Sequence, residues 1–232
     1  MLAYGYNQAS TCGNVIMKIV ALISQKGGAG KTTLAVHLAA RAAADGRTTA
    51  IIDLDPQATA ASWGDRREAD APEVISGQAV RLPALIKAAE ENGAEFLILD
   101  TAPNADQTAS LAARAADVVL IPCRPAAFDL EAIETTLMLA KAAAKPAYVV
   151  LNAAPPRSSI GKEAADGLSR RGAQVAPHSL TQRAAFAHGV IDGRTAQEFE
   201  PNGKAAQEID HLYKWLCGIV GMPTRRQARK AA

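Results

Sequence analysis

The chain has 232 residues, 49% of them hydrophobic, 21% charged and only 4% aromatic, with a formal net charge of +2. That length lies near the upper end for one α/β domain, and no internal repeat or glycine/serine linker divides it. No run approaches the roughly 18 apolar residues of a membrane span, and Cys12, Cys123 and Cys217 lack the spacing of a zinc site or a disulfide framework, which suits a reducing cytoplasm.

The first sixteen residues carry no lysine or arginine and make a poor signal peptide. They read as a disordered extension ahead of a natural start at Met17. Residues 17–23 are apolar and β-prone, as a buried parallel strand should be. Lys26-Gly27-Gly28-Ala29-Gly30-Lys31-Thr32-Thr33 follows, and it completes G-x-x-x-x-G-K-[ST] if Ser24 or Gln25 stands where the standard motif has glycine. The glycines let successive N–H groups turn inward on a phosphate chain, and a helix beginning at Lys31 adds partial positive charge there. Lys31 is placed to reach the β and γ phosphates, and the Thr32 hydroxyl to sit on Mg²⁺. Lys26 comes too early to share the role of Lys31; by itself it is either a solvated loop charge or a second cation.

A second strand, residues 48–52, ends in Asp53-Leu54-Asp55-Pro56-Gln57. Acids at i and i+2 of an extended segment face one side, so both can address one ion or one water. A third, residues 95–99, ends in Asp100-Thr101-Ala102-Pro103, where a carboxylate suits holding Mg²⁺ through its water shell. Strands recur at 117–121 and 147–151, with a weaker signal at 173–175. Helical stretches fall at 33–44, 81–91, 105–115, 127–144 and 160–170. The alternation predicts an α/β fold, a doubly wound and mostly parallel sheet with helices on both faces. Ligands bind at the carboxyl ends of such strands, where all three acidic motifs lie. Alanine supplies much of the apolar count, so the helices are expected to pack closely through small side chains.

Near the C-terminus Ile209, Leu212, Tyr213, Leu216, Ile219 and Val220 form one apolar stripe at helical spacing. Beyond Gly221 stand Arg225, Arg226, Arg229 and Lys230 with no acid among them, a basic tail that either neutralises nucleic-acid phosphates without reading sequence or is simply solvated. Lys204, Lys214, Arg183 and Arg194 would add a second basic surface if they share a face. The chain thus divides into an extension over 1–16, one domain over 17–220 and a tail over 221–232.

These motifs together resemble the ParA/MinD family of deviant P-loop ATPases over residues 17–220, and in particular its short members without an N-terminal helix-turn-helix region, since only 23 residues precede Ser24. The D-x-D-P-Q form is shared, as is a tryptophan after it in Asp55-Pro56-Gln57-Ala58-Thr59-Ala60-Ala61-Ser62-Trp63; plain packing is the other reading of Trp63. The blocks Leu180-Thr181-Gln182-Arg183-Ala184-Ala185-Phe186 and Asp192-Gly193-Arg194-Thr195 echo the short form too. The resemblance implies ATP/ADP and Mg²⁺ as cofactors. It assigns Lys26, Lys31 and Asp55 to catalysis, residues 26–33 and Asn152 to nucleotide binding, and Thr32, Asp53 and Asp100 to the metal. By it, Lys26 crosses a dimer interface to the partner's ATP, Asp55 positions the attacking water and Asp53 supports the Mg²⁺ shell. Asn152 would meet an adenine edge, although other short-form members carry a different residue there. The loop Ile121-Pro122-Cys123-Arg124-Pro125, with Asp129, lies in relatives at the nucleotide and dimer face. The motifs offer no arginine in cis, so slow basal turnover is expected.

The function so implied is plasmid or chromosomal partition. An ATP-bound homodimer would hold non-specific DNA of the nucleoid until a small centromere-binding, ParB-like adaptor stimulates hydrolysis. The alternative with the same cycle is an orphan ATPase that positions a protein cargo. A metabolic P-loop ligase finds little room in 232 residues, and membrane cycling lacks an amphipathic tail, Met222 being the one sizeable apolar side chain in 221–232.

Overall fold

Six strands form one parallel sheet, and the loops that carry the expected motifs leave it at a single edge. The computed structural model describes residues 16–224, without the side chains of residues 127, 128 and 130–132. The proposed extension up to residue 15 and the basic tail residues Arg225, Arg226, Arg229 and Lys230 lie outside the described residues.

In chain order the elements are β1 (Lys18–Leu22), α1 (Lys31–Ala44), β2 (Thr49–Asp53), α2 (Thr59–Asp65), β3 (Glu73–Ser76), α3 (Leu82–Glu91), β4 (Phe96–Asp100), α4 (Asp106–Ala115), β5 (Val118–Cys123), α5 (Ala127–Ala142), β6 (Ala147–Leu151), α6 (Ile160–Arg170), α7 (Ala184–Ile191), α8 (Ala196–Phe199) and α9 (Lys204–Ile219). The strand order is β3-β2-β4-β1-β5-β6, every neighbour parallel. Strand β1 sits between β4 and β5, so the loop after it lies at the centre of the carboxyl edge, flanked by the ends of both neighbours.

Alternate strand residues divide the core into two layers, as the period-2 geometry of a strand requires. Val20, Leu22 and Ile98 pack with Leu34 and Leu38 of α1 and with Ile209, Leu212 and Leu216 of α9. Ala21, Ile23, Leu97 and Leu99 face Ala109 and Ala112 of α4 and Leu168 of α6. Burial on both faces explains why these strands read as continuous apolar runs. Ala35, Ala39 and Ala42 of α1 are fully buried, so small side chains let this helix approach the sheet closely.

The structure departs from the expected elements at three points. The strand expected at 173–175 contributes a single parallel bridge, between Val175 and Val149. Strand β3 was not foreseen, because only Val74 and Ile75 of its four residues are partly buried and an edge strand this short carries little periodic signal. In the C-terminal stripe, Ile209, Leu212, Tyr213 and Leu216 are fully buried on α9, whereas Ile219 turns outward in the last turn.

Candidate nucleotide-binding site

The loop after β1 takes left-handed backbone at Gly28 (φ +72°) and Gly30 (φ +95°), a conformation that penalises any residue with a Cβ. A Cβ at Gly30 would also overlap the Asn152 side-chain amide. No side chain caps the start of α1, so its first N–H groups are available to an anion. Lys31, the first helical residue, is largely buried and its ammonium donates to the Ser24 carbonyl at 3.1 Å. Burial lowers the Lys31 pKa, while Asp100 and Asp55 act to raise it.

The acids divide their work differently from expectation. Asp53 ends β2 fully buried, and its carboxylate accepts backbone N–H groups from Asp55 (3.0 Å), Ala60 (2.9 Å) and Ala61 (3.1 Å). Burial raises its pKa and these three donors oppose the rise. It therefore anchors the turn into α2, and because the chain leaves the extended conformation after Asp53 the i, i+2 rule no longer sets its carboxylate and that of Asp55 on one face. Asp55 lines the open cavity, with one carboxylate oxygen accepting the Gln57 N–H at 2.9 Å.

Asp100, paired in register with Asp53 across β4 and β2, is fully buried. Neither of its oxygens completes a hydrogen bond among the described residues, although the nearby Thr32 hydroxyl favours the ionised form. Burial, with Asp53 and Asp55 adding to it, pushes its pKa up to about 7 against the pull of Thr32 and Lys31. Two orphaned carboxylate oxygens beside a threonine hydroxyl are the donor set a hard divalent cation prefers. Thr32 and Asp100 fit Mg²⁺, whereas Asp53 turns three of its acceptor positions to the backbone of residues 55, 60 and 61.

A cavity of about 710 Å³ opens over the loop, lined by Gly28, Gly30, Lys31, Thr32, Thr33 and Asp55 on one side and by Asn152, Thr181, Gln182, Arg183 and Phe186 on the other. Its size suits a nucleotide. Asn152 donates its side-chain amide to the Ala29 carbonyl at 2.7 Å, so it braces the loop as well as facing the cavity. The lining from 181 to 190 was not assigned to the site from sequence; its signal was the family-like block 180–186, which parallel bridging of Thr181 to Ala154 brings beside β6. Arg124 also lines the cavity, a cation in cis that the motifs did not offer. Lys26 turns away from the cavity toward α5, where its ammonium lies 3.9 Å from the Asp129 carboxylate.

Comparison with known proteins then decides the family. Residues 20–195 match the model of the CobQ/CobB/MinD/ParA nucleotide binding domain. The chain belongs to the MinD/ParA nucleotide-binding family. Among its relatives, the maintenance of carboxysome distribution protein A of Halothiobacillus neapolitanus is 31% identical over 205 residues, 83% of this chain and 93% of that protein. The protein of the same name in Gloeobacter kilaueensis is 32% identical over 202 residues, 85% of this chain and 91% of its own length. The solved ATP complex of a Cyanothece McdA variant superposes with a TM-score of 0.71, covering 89% of this chain and 97% of that one, at 17% identity that speaks for the fold alone.

This MinD/ParA-family chain is accordingly an ATP hydrolase with a nucleotide-binding P-loop. Two of its short-form blocks meet in space: Trp63 is buried and its indole N–H donates to the Arg194 carbonyl at 3.1 Å. Gly193 (φ +78°) closes against the Arg66 backbone, where a Cβ would come within 2.6 Å. Three of the four cations expected to add a second basic surface carry acidic partners. Arg183 pairs with Glu208 at 2.6 Å and Arg194 with Asp192 at 2.6 Å, while Lys214, at 2.5 Å, shares the Asp210 carboxylate with Arg41 at 2.8 Å. Among the described residues no helix is long and apolar enough to cross a membrane.

Proposed function

We propose that this ATPase positions a protein cargo, using an ATP-gated dimer on DNA and an adaptor protein, and that plasmid partition is the second reading. The observation that carries the order is likeness along nearly the whole length of two proteins named for carboxysome distribution. Partition keeps its place because the D-P-Q to Trp63 and Asp192–Thr195 blocks resemble short partition members. The ATPase cycle is the same in both.

In this reading the loop amides of residues 27–30, Lys31 and the open N-terminus of α1 hold the phosphates. Thr32 and Asp100 hold Mg²⁺, which when bound neutralises phosphate charge and orients the triphosphate. Asp55 faces the cavity and orients the attacking water; Asn152 and the segment from Thr181 face the base. Lys26 leaves Asp129 and meets the triphosphate of a second copy, supplying positive charge where the transition state gathers negative charge. Its direction away from its own cavity supports action in trans. DNA contact rests on the tail cations beyond residue 224, since the domain's candidates are mostly ion-paired.

The test is genetic. In the source cell, deleting the gene should collapse the foci of the adaptor's protein cargo while plasmid retention stays at the wild-type level. Plasmid loss with evenly spaced protein foci would reverse the order of the two readings.

A further inference from the structure

The loop after β5 brings a second cation to the phosphate loop within the same subunit. Gly28 is the turn of the P-loop, and a Cβ built on it would lie 3.3 Å from Arg124 Nη2. The guanidinium therefore lies beside the turn at Gly28, and Arg124 lines the same cavity as Lys31, Thr32 and Asp55. Its main chain is pinned, the Arg124 carbonyl accepting the Ala126 N–H at 2.8 Å and the Cys123 thiol at 3.3 Å. Its side chain makes no ion pair or hydrogen bond among the described residues, whereas Lys26 on the other side of the loop is held by Asp129.

We propose that Arg124 binds the phosphate chain of the nucleotide in cis and makes each subunit prefer ATP to ADP. The inference rests on the ATPase reading and adds a residue that the motifs do not specify. A guanidinium presents a planar fork of donors suited to phosphate oxygens. ATP carries one more negative charge than ADP, so a cation on the rim of the loop favours the triphosphate. Because Arg124 and Gly28 belong to one chain, the effect does not require a second copy. A glycine turn fits the same role, since a side chain at Gly28 would be strained at φ +72° and would press on the guanidinium.

The experiment is titration of fluorescent ATP and ADP analogues into the wild type, Arg124→Gln and Arg124→Lys, each also in the Lys26→Ala background, with Mg²⁺ present and at two salt concentrations. Loss of one charge-assisted contact should weaken ATP binding about tenfold to a hundredfold. ADP should weaken less, Arg124→Lys should recover part of the loss, and the difference should shrink at high salt. The same loss should persist in the Lys26→Ala background. Equal, within twofold, binding of both nucleotides by wild type and Arg124→Gln would overturn the proposal, and so would an equal loss of ATP and ADP together with a lowered melting temperature, which would mean that Arg124 only braces the loop. A wild type that binds neither nucleotide would instead remove the ATPase reading on which the inference rests.

Discussion

Lys26 Nζ stands 3.9 Å from Asp129 Oδ1, a stretched ion pair between the phosphate loop and the first turn of α5. The lysine side chain is 48% exposed and the aspartate side chain 12%. A pair this open contributes at most about 1 kcal/mol to folding. Its consequence is directional: in the single subunit the lysine is parked beside its own loop and off its own cavity. Asp129→Asn should leave the melting temperature nearly unchanged and shift ATP-dependent dimer formation to lower ATP concentration. Sedimentation across an ATP series reads this, and an unchanged series would show that Asp129 does not restrain Lys26.

Asp100 sets function against stability. Its carboxyl is raised to about 7 in the folded chain by burial, so the folded state favours the protonated form. Its contribution to stability is therefore largest at low pH and is lost as pH rises from about 4 through about 7. Without Mg²⁺, Asp100→Asn should unfold at higher temperature than the wild type at pH 8, with the gap narrowing toward pH 4. Phosphate release should drop by about a hundredfold or more, because the triphosphate loses a partner for its metal. A variant less stable at pH 8 than the wild type would contradict the assignment.

His37 gives the opposite slope. Its Nδ1 donates to the Thr33 carbonyl at 2.7 Å and its Nε2 accepts the Ala196 N–H at 3.0 Å, which fixes the neutral tautomer and ties α1 to α8. Burial pushes its pKa down to about 4. Between about 4 and the unfolded value near 6.5 the unfolded chain binds more protons, so stability falls as pH drops through that window. At pH 5 the wild type should have lost about 2 kcal/mol relative to pH 7 through this residue. Urea unfolding at the two pH values, compared with His37→Gln, checks the slope; an equal slope in the variant would assign it elsewhere.

Trp63 joins the segment after Asp55 to the Asp192–Thr195 block. Trp63→Phe keeps most of the packing and leaves the Arg194 carbonyl without its indole donor, a loss of about 1–2 kcal/mol. Trp63→Ala should cost about 3–5 kcal/mol through the cavity it opens. Denaturant midpoints order the three proteins, and equal midpoints for phenylalanine and tryptophan would remove the hydrogen bond from the explanation.

The P-loop was legible because each of its residues answers a local demand: left-handed backbone at Gly28 and Gly30, a helix start at Lys31, a hydroxyl at Thr32. Asp100 was legible as an acid at the end of an apolar strand. The resemblance assigned Asp53 to the metal, and the period-2 argument that set it beside Asp55 was carried two residues past the end of β2, where the turn into α2 draws on its carboxylate. The resemblance placed the loop 121–125 at the nucleotide face without singling out Arg124, whose approach to Gly28 joins loops from neighbouring strands, a relation that parallel pairing of β1 with β5 creates and linear spacing does not contain. The charge of the supposed basic surface was over-read for a related reason: a charge read from sequence carries no information about its partner, and Glu208, Asp192 and Asp210 lie against Arg183, Arg194 and Lys214.

The most direct test of completion in trans is sedimentation of the purified wild type and Lys26→Ala with no nucleotide, with ADP and with ATP, each with Mg²⁺. The expected result is a wild-type dimer with ATP alone, and for Lys26→Ala a monomer, or an inactive dimer, with ATP still bound. A wild type that turns over ATP as a monomer, or a Lys26→Ala protein that dimerises and hydrolyses like the wild type, would contradict it.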